Sequence, residues 1–241
     1  MIDKVIAALQ NSDIKFENLY EAEHTQVSSY LRKQFGENAH IGVDSGISKL
    51  VILIKGEDKV IKIPYSMLFD EESYNDDCSY WDSGENENAE EPFPEDYLQK
   101  FFCACSDEIE TSNEWDYCAL ECAIYKQAEA EDLAQYFAKE ELYAMIKDYP
   151  VYVQQRVVPM DCDRLSRLSE CDSTRKRCTQ LNVKCFNDLW ISDFFNYYGE
   201  SEFVRLSQFL EKHHIYDLHE GNLGYYCGAP ILLDYSDFNE W

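Results

Sequence analysis

A chain of 241 residues with 47 Asp and Glu against 21 Lys and Arg, net charge -26, is long enough to bury a core and too acidic to bind nucleic acid or an anionic membrane directly. Hydrophobic residues at 45% and aromatics at 15% exclude an acidic disordered chain. The first ten residues lack an apolar signal-peptide core and no apolar run is long enough to span a bilayer, so the expected compartment is the cytoplasm, with the ten cysteines mainly as reduced thiols.

Residues 1–10 and about 23–35 carry helical apolar spacing, with Ser12 and Asp13 as a break, and residues 1–37 read as an N-terminal helical extension. From Ala39 the character changes. Ile41-Gly42-Val43, Leu50 to Ile54 and Val60 to Pro64, separated by Asp44-Ser45-Gly46 and Lys55-Gly56-Glu57-Asp58, predict three consecutive antiparallel strands. An acidic insertion follows over 70–98. Its residues 70–96 hold twelve Asp or Glu and no Lys or Arg, the composition of a surface segment.

Trp115, Leu120, Ile124 and Ala128 then share one side of a predicted helix, with Cys118 and Cys122 as further inward candidates. Tyr149 to Pro159 reads as a strand closed by a proline, and 163–182, 186–198 and 202–212 read as helices. Cys171, Cys178 and Cys185 recur every seven residues, a core spacing, and Cys103-x-Cys105 is a lone pair; neither has paired zinc-ligand spacing. Ile215 to Asp237 predicts a loop and a two-strand hairpin around Gly228. Strands, a helix, a strand, helices and a hairpin make an α+β fold in two lobes, 38–157 and 158–241.

The chemistry concentrates in Asp217-Leu218-His219-Glu220-Gly221-Asn222 and, after the hairpin, Ile231-Leu232-Leu233-Asp234-Tyr235-Ser236. This pair of segments resembles the catalytic and metal-binding segments of the protein-kinase-like superfamily, in particular its aminoglycoside and choline phosphotransferase branch, where Asp-x-x-x-x-Asn precedes an apolar strand and an Asp. Val60-Ile61-Lys62 likewise resembles that superfamily's Val-Ala-Ile-Lys. Read singly, Lys62 is also the charge an edge strand uses for solubility, and Asp217, Asn222 and Asp234 are also turn residues. Their order along the chain carries the resemblance.

The resemblance implies a bilobal fold with a small antiparallel-sheet N-lobe and a truncated, mainly helical C-lobe. It implies ATP and magnesium as cofactors: Asp217 orienting or deprotonating the acceptor hydroxyl, Asn222 and Asp234 holding magnesium, and Lys62 on the α- and β-phosphates, paired with Glu121 or, in reserve, Glu114. It also implies a phosphate lid at Gly42 and Gly46 and adenine recognition by the backbone of Gln155 and Val157. Compact chains of this kind also look similar to proteins of bacterial phages and mobile elements.

Several positions depart from that pattern. Gly42-x-x-x-Gly46 is not Gly-x-Gly-x-x-Gly, Ile215 and Tyr216 replace the usual residues before the catalytic Asp, and Ser236 stands where glycine is common. The sequence also ends five residues after Ser236, which implies neither an activation segment nor a helical platform for protein substrates. Three functions compete. The first is a phosphotransferase binding nucleotide and an unspecified small-molecule or protein acceptor. The second is a catalytically inactive kinase-like interaction protein, and the third an acidic inhibitor that mimics nucleic acid. His213, His214 and His219 around Asp217 raise a metal-hydrolase alternative, but they lack the i, i+4 pair on a helix with a supporting glutamate.

Overall fold

Apolar residues at helical spacing, Ile2, Val5, Ile6 and Leu9, turn one face of α1 (Ile2–Gln10) inward, and Val27 and Leu31 do the same for α2 (His24–Phe35). In the computed structural model, which describes residues 1–16, 24–45, 48–65, 116–160 and 168–236, both faces share one core with Leu50, Ile52, Ile61, Ile63, Val151 and Val153 of the sheet. The predicted N-terminal extension is thus packed on the sheet. The acidic stretch 70–98, Cys103, Cys105, Glu114, Trp115 and Gly46 lie outside the described residues.

The protein is α+β, with an antiparallel sheet on its N-terminal side and mostly helices later. Among the described residues the sheet has five strands, β1 (Ile41–Ser45), β2 (Lys49–Ile54), β3 (Lys59–Pro64), β4 (Glu140–Ile146) and β5 (Tyr149–Gln155), in the order β1-β2-β3-β5-β4. The strand β4 is absent from the sequence reading. A register shift between Leu142 and Ala144 breaks its alternation, and it turns into β5 through Lys147 and Asp148, both at positive φ (48° and 66°) without a glycine. That turn is held from outside: Lys147 donates its backbone N–H to Gln10 and its ammonium to the carbonyls of Ser12 and Ile14.

The predicted Tyr149 to Pro159 strand is two. β5 ends at Gln155, Arg156 donates its backbone N–H to Asp58 O at 2.8 Å, and β6 (Val158–Pro159) joins a second sheet. That sheet runs β6-β7-β8, with β7 (Leu223–Tyr226) and β8 (Ala229–Leu232) forming the expected hairpin around Cys227 and Gly228, both at positive φ. Gly224 is fixed by close approach: a Cβ there would lie 2.5 Å from the Val158 carbonyl oxygen.

Helix α3 (Tyr117–Ala130) lies between β3 and β4 in the chain, and α4 (Leu168–Leu181), α5 (Asp188–Tyr197) and α6 (Glu200–Lys212) follow β6. Leu120, Ile124 and Ala128 of α3 join Trp190, Phe194, Phe203, Leu206 and Phe209 in a second core. Cys171 and Cys178 are buried in α4, whereas Cys185 falls past its end, after Asn182 at φ 55°. The seven-residue spacing therefore marks the helix only for its first two members.

Asp116 caps α3, accepting from the Ala119 N–H at 3.0 Å and from the Tyr152 hydroxyl at 2.5 Å with no exposed surface. Burial pushes its carboxyl up to about 6 despite those hydrogen bonds. A carboxyl raised in the folded state binds its proton more tightly there than in the unfolded chain. Its contribution is therefore full below about pH 4 and falls as pH rises toward 6. Asp116→Asn, which keeps the cap, removes roughly 3 kcal/mol of that decline. Urea unfolding of the two proteins from pH 4 to 7 measures it, as a flatter profile for the variant.

Candidate functional site

Strand alternation decides which lysines enter the interior. Leu50, Ile52 and Ile54 of β2, and Ile61 and Ile63 of β3, fill the core shared with α1 and α2, so Lys49 and Lys62 sit on the other face. Glu121 meets them from α3, where Cys118 and Cys122 of the same helix pack on Tyr152 of β5. Register adds a further pair, since Glu140 of β4 lies opposite Gln154 of β5.

The result is a buried polar cluster. The Lys62 ammonium donates to Glu121 Oε2 at 2.6 Å and Glu140 Oε2 at 2.9 Å. That of Lys49 donates to Glu121 Oε1 at 2.5 Å and Asp234 Oδ1 at 2.9 Å. The Gln154 amide donates to Glu121 Oε2, Glu140 Oε2 and the Leu233 carbonyl at 3.2, 3.0 and 2.8 Å. Ser236 Oγ donates to Glu121 Oε1 at 3.0 Å and Asp234 Oδ1 at 3.3 Å.

Burial alone would discharge Lys49, but Asp234 and Glu121 outweigh it and hold the ammonium protonated. Lys62 is raised in the same way by Glu121 and Glu140. Asp234, whose side chain keeps 29% of its exposure, is pushed up by burial and by Glu121, against the pull of Lys49. Three carboxylates face two ammonium groups, and Glu140 Oε1 and Gln154 Oε1 are buried without a hydrogen-bond donor. The cluster therefore holds one more negative charge than its lysines cancel.

The loop before β7 is tied to this cluster by Asn222. Its amide donates to the Asp217 carbonyl at 2.8 Å and to Asp217 Oδ2 at 3.1 Å, and its carbonyl accepts from the N–H groups of Leu233 and Asp234 at 2.8 and 3.3 Å. Asp217, Asn222 and Asp234 are thus joined by consecutive hydrogen bonds, and Lys62 and Glu121 are ion-paired below them. His219 accepts from the Gly221 N–H through Nδ1, with Nε2 3.6 Å from Asp217 Oδ2. His213 instead packs at a tilt against Phe209, with ring centroids 4.3 Å apart. No group of three or more His, Cys, Asp or Glu is placed to hold a metal by itself among the described residues.

The remaining expected residues stand apart from the cluster. Gly42 is exposed in β1, paired with Leu53, and an added Cβ would meet only ordinary contacts at 3.9 Å. Gln155 donates its backbone N–H to the Lys139 carbonyl at 2.8 Å, while Val157 packs with Ala138 and Ile231. Sequence reasoning missed Lys49, Glu140, Gln154 and Ser236 as members. For Lys49 the signal was present: alternation through Lys49-Leu50-Val51-Ile52 puts it on the side of the sheet opposite the Leu50 and Ile52 core, with Val51, which pairs directly with Lys62.

No protein-family model matches this chain, and no curated protein matches it.

Proposed function

We propose that the protein is an ATP- and magnesium-dependent phosphotransferase of the protein-kinase-like type, acting on a hydroxyl acceptor. One observation carries the reading: Lys62 is ion-paired with Glu121, which is linked through Lys49 to Asp234 and through Asp234 to the Asn222–Asp217 loop. The five-stranded sheet, with α3 between β3 and β4 and helices following, supports the same reading.

The donor set suits a hard divalent cation. Asp234 supplies a partly exposed carboxylate, Asn222 spends its amide nitrogen on Asp217 and so keeps its side-chain oxygen, and the cluster is short of positive charge. Bound there, magnesium would supply charge neutralisation for the phosphates. The protein's own residues do the rest. Glu121 fixes the Lys62 ammonium in direction, so its charge is preorganised for phosphate oxygens. Asn222 fixes Asp217, whose side chain is 15% exposed, to accept the proton of an acceptor hydroxyl. On a chain of net charge -26 whose two buried lysines are themselves outnumbered by carboxylates, a polyphosphate would need a divalent cation beside it to approach.

A second reading, a kinase-like interaction protein without turnover, draws on Lys49, whose ammonium already occupies one oxygen of Asp234. Isothermal titration of ATP with and without magnesium into the wild type and Asp234→Ala separates the two. The phosphotransferase reading expects magnesium-dependent binding that the variant loses. An absence of binding to either protein at millimolar ATP sinks it and leaves the second.

A further inference from the structure

Lys49 has no role in the resemblance that motivates the phosphotransferase reading, yet beside the Ser236 hydroxyl it is the cation that links Glu121 to Asp234. Its side chain is 4% exposed, and its two acceptors come from α3 and from the segment after β8, 72 and 185 residues away in the chain. An edge-strand solubilising lysine has neither that burial nor such partners. Within the cluster Lys62 already pairs Glu121 with Glu140, so Lys49 serves Asp234, the carboxylate that the proposed function gives to magnesium.

We infer that Lys49 is the resident counter-cation of the metal position, holding Asp234 in the metal-free protein and yielding it when a divalent cation arrives. This rests on the proposed function for the identity of the metal site, and on the geometry for the competition. Two cations cannot share Asp234 at close range without repelling each other. A divalent ion held by Asp234 would therefore displace the ammonium from Oδ1 and leave it to Glu121, its other acceptor. Glu140 Oε1 and Gln154 Oε1, at the Lys62 end of the cluster, are buried without a donor, so the two lysines do not fill every acceptor there. The site then differs from one with a single phosphate-binding lysine: it carries two ammonium groups, one of which is released only by metal.

The test is isothermal titration of Mn2+ alone into the nucleotide-free wild type and into Lys49→Met, which keeps the aliphatic stem and removes the charge. The expected result is about tenfold tighter Mn2+ binding by the variant, because a competing positive charge has left the carboxylate. Equal or weaker binding overturns the inference. If Lys49→Met does not fold, the wild type decides, labelled at lysine 13Cε and read by NMR. Mg2+ alone at tens of millimolar then shifts the Lys49 resonance, and an unmoved Lys49 resonance overturns the inference. Magnesium–ATP is titrated into the wild type alongside. Absent nucleotide binding counts against the phosphotransferase reading, while the metal-alone experiments decide the role of Lys49.

Discussion

Glu121→Gln lowers the stability of the fold by about 1.5 to 3 kcal/mol, seen as a fall in the urea midpoint at unchanged slope. Glu121 has no exposed surface and accepts from Lys49 and Ser236 on one oxygen and from Lys62 and Gln154 on the other. An amide of the same shape must turn its NH2 toward one of these pairs. Either orientation sets a donor against a buried ammonium and leaves that lysine with one carboxylate, Asp234 for Lys49 or Glu140 for Lys62, where it had two. A loss below about 1 kcal/mol would mean that the displaced lysine is accepted elsewhere, with Glu140 Oε1 the nearest candidate by chemistry.

Trp190→Ala is expected to cost about 3 to 5 kcal/mol through the cavity it opens in the second core. The indole is fully buried in α5, with ring centroids 5.3 Å from Phe194 and 5.7 Å from Phe186, and its Nε1 donates to the Gly224 carbonyl at 3.3 Å. For a domain of this size the loss corresponds to a fall of roughly 6 to 20 °C in calorimetric Tm. Gly224 follows Asn222 by two residues, so the truncation also loosens the strand that anchors the Asp217 loop. Trp190→Phe, which keeps most of the volume, should recover most of the Tm and none of the hydrogen bond.

How far the fold was legible depends on how local its signals are. β2 and β3 announce themselves through β-branched runs bounded by glycine turns, and the β7–β8 hairpin through Gly228 at positive φ. β4 carries neither mark: its bulge breaks the alternation, and its turn uses Lys147 and Asp148, held in place by contacts to residues 10–14 far away in sequence. At the site, the Lys62–Glu121 contact was reachable because the family resemblance supplied a reason to pair them. Lys49 and Glu140 look like surface charges in the sequence, and only the stacking of α3 over the β2–β3–β5–β4 face buries them. The expected roles of Gly42, Gln155 and Val157 depended on strand register rather than on side-chain chemistry, and the register engages the Gln155 N–H with Lys139.

The span of the Lys49–Asp234 contact sets a timetable for synthesis. At about 5 to 20 residues per second, Asp234 leaves the ribosome roughly 10 to 40 seconds after Lys49, across the 185 positions between them. For about the first two fifths of that interval Glu121, 72 residues downstream of Lys49, has not been made either, and the β2–β3 hairpin cannot settle two lysines against apolar surface without an anion to meet them. The nascent sheet therefore waits, half-dressed, for its helix and its last acid. A chain stalled between these points would present a lysine-bearing strand face to chaperones rather than a finished lobe.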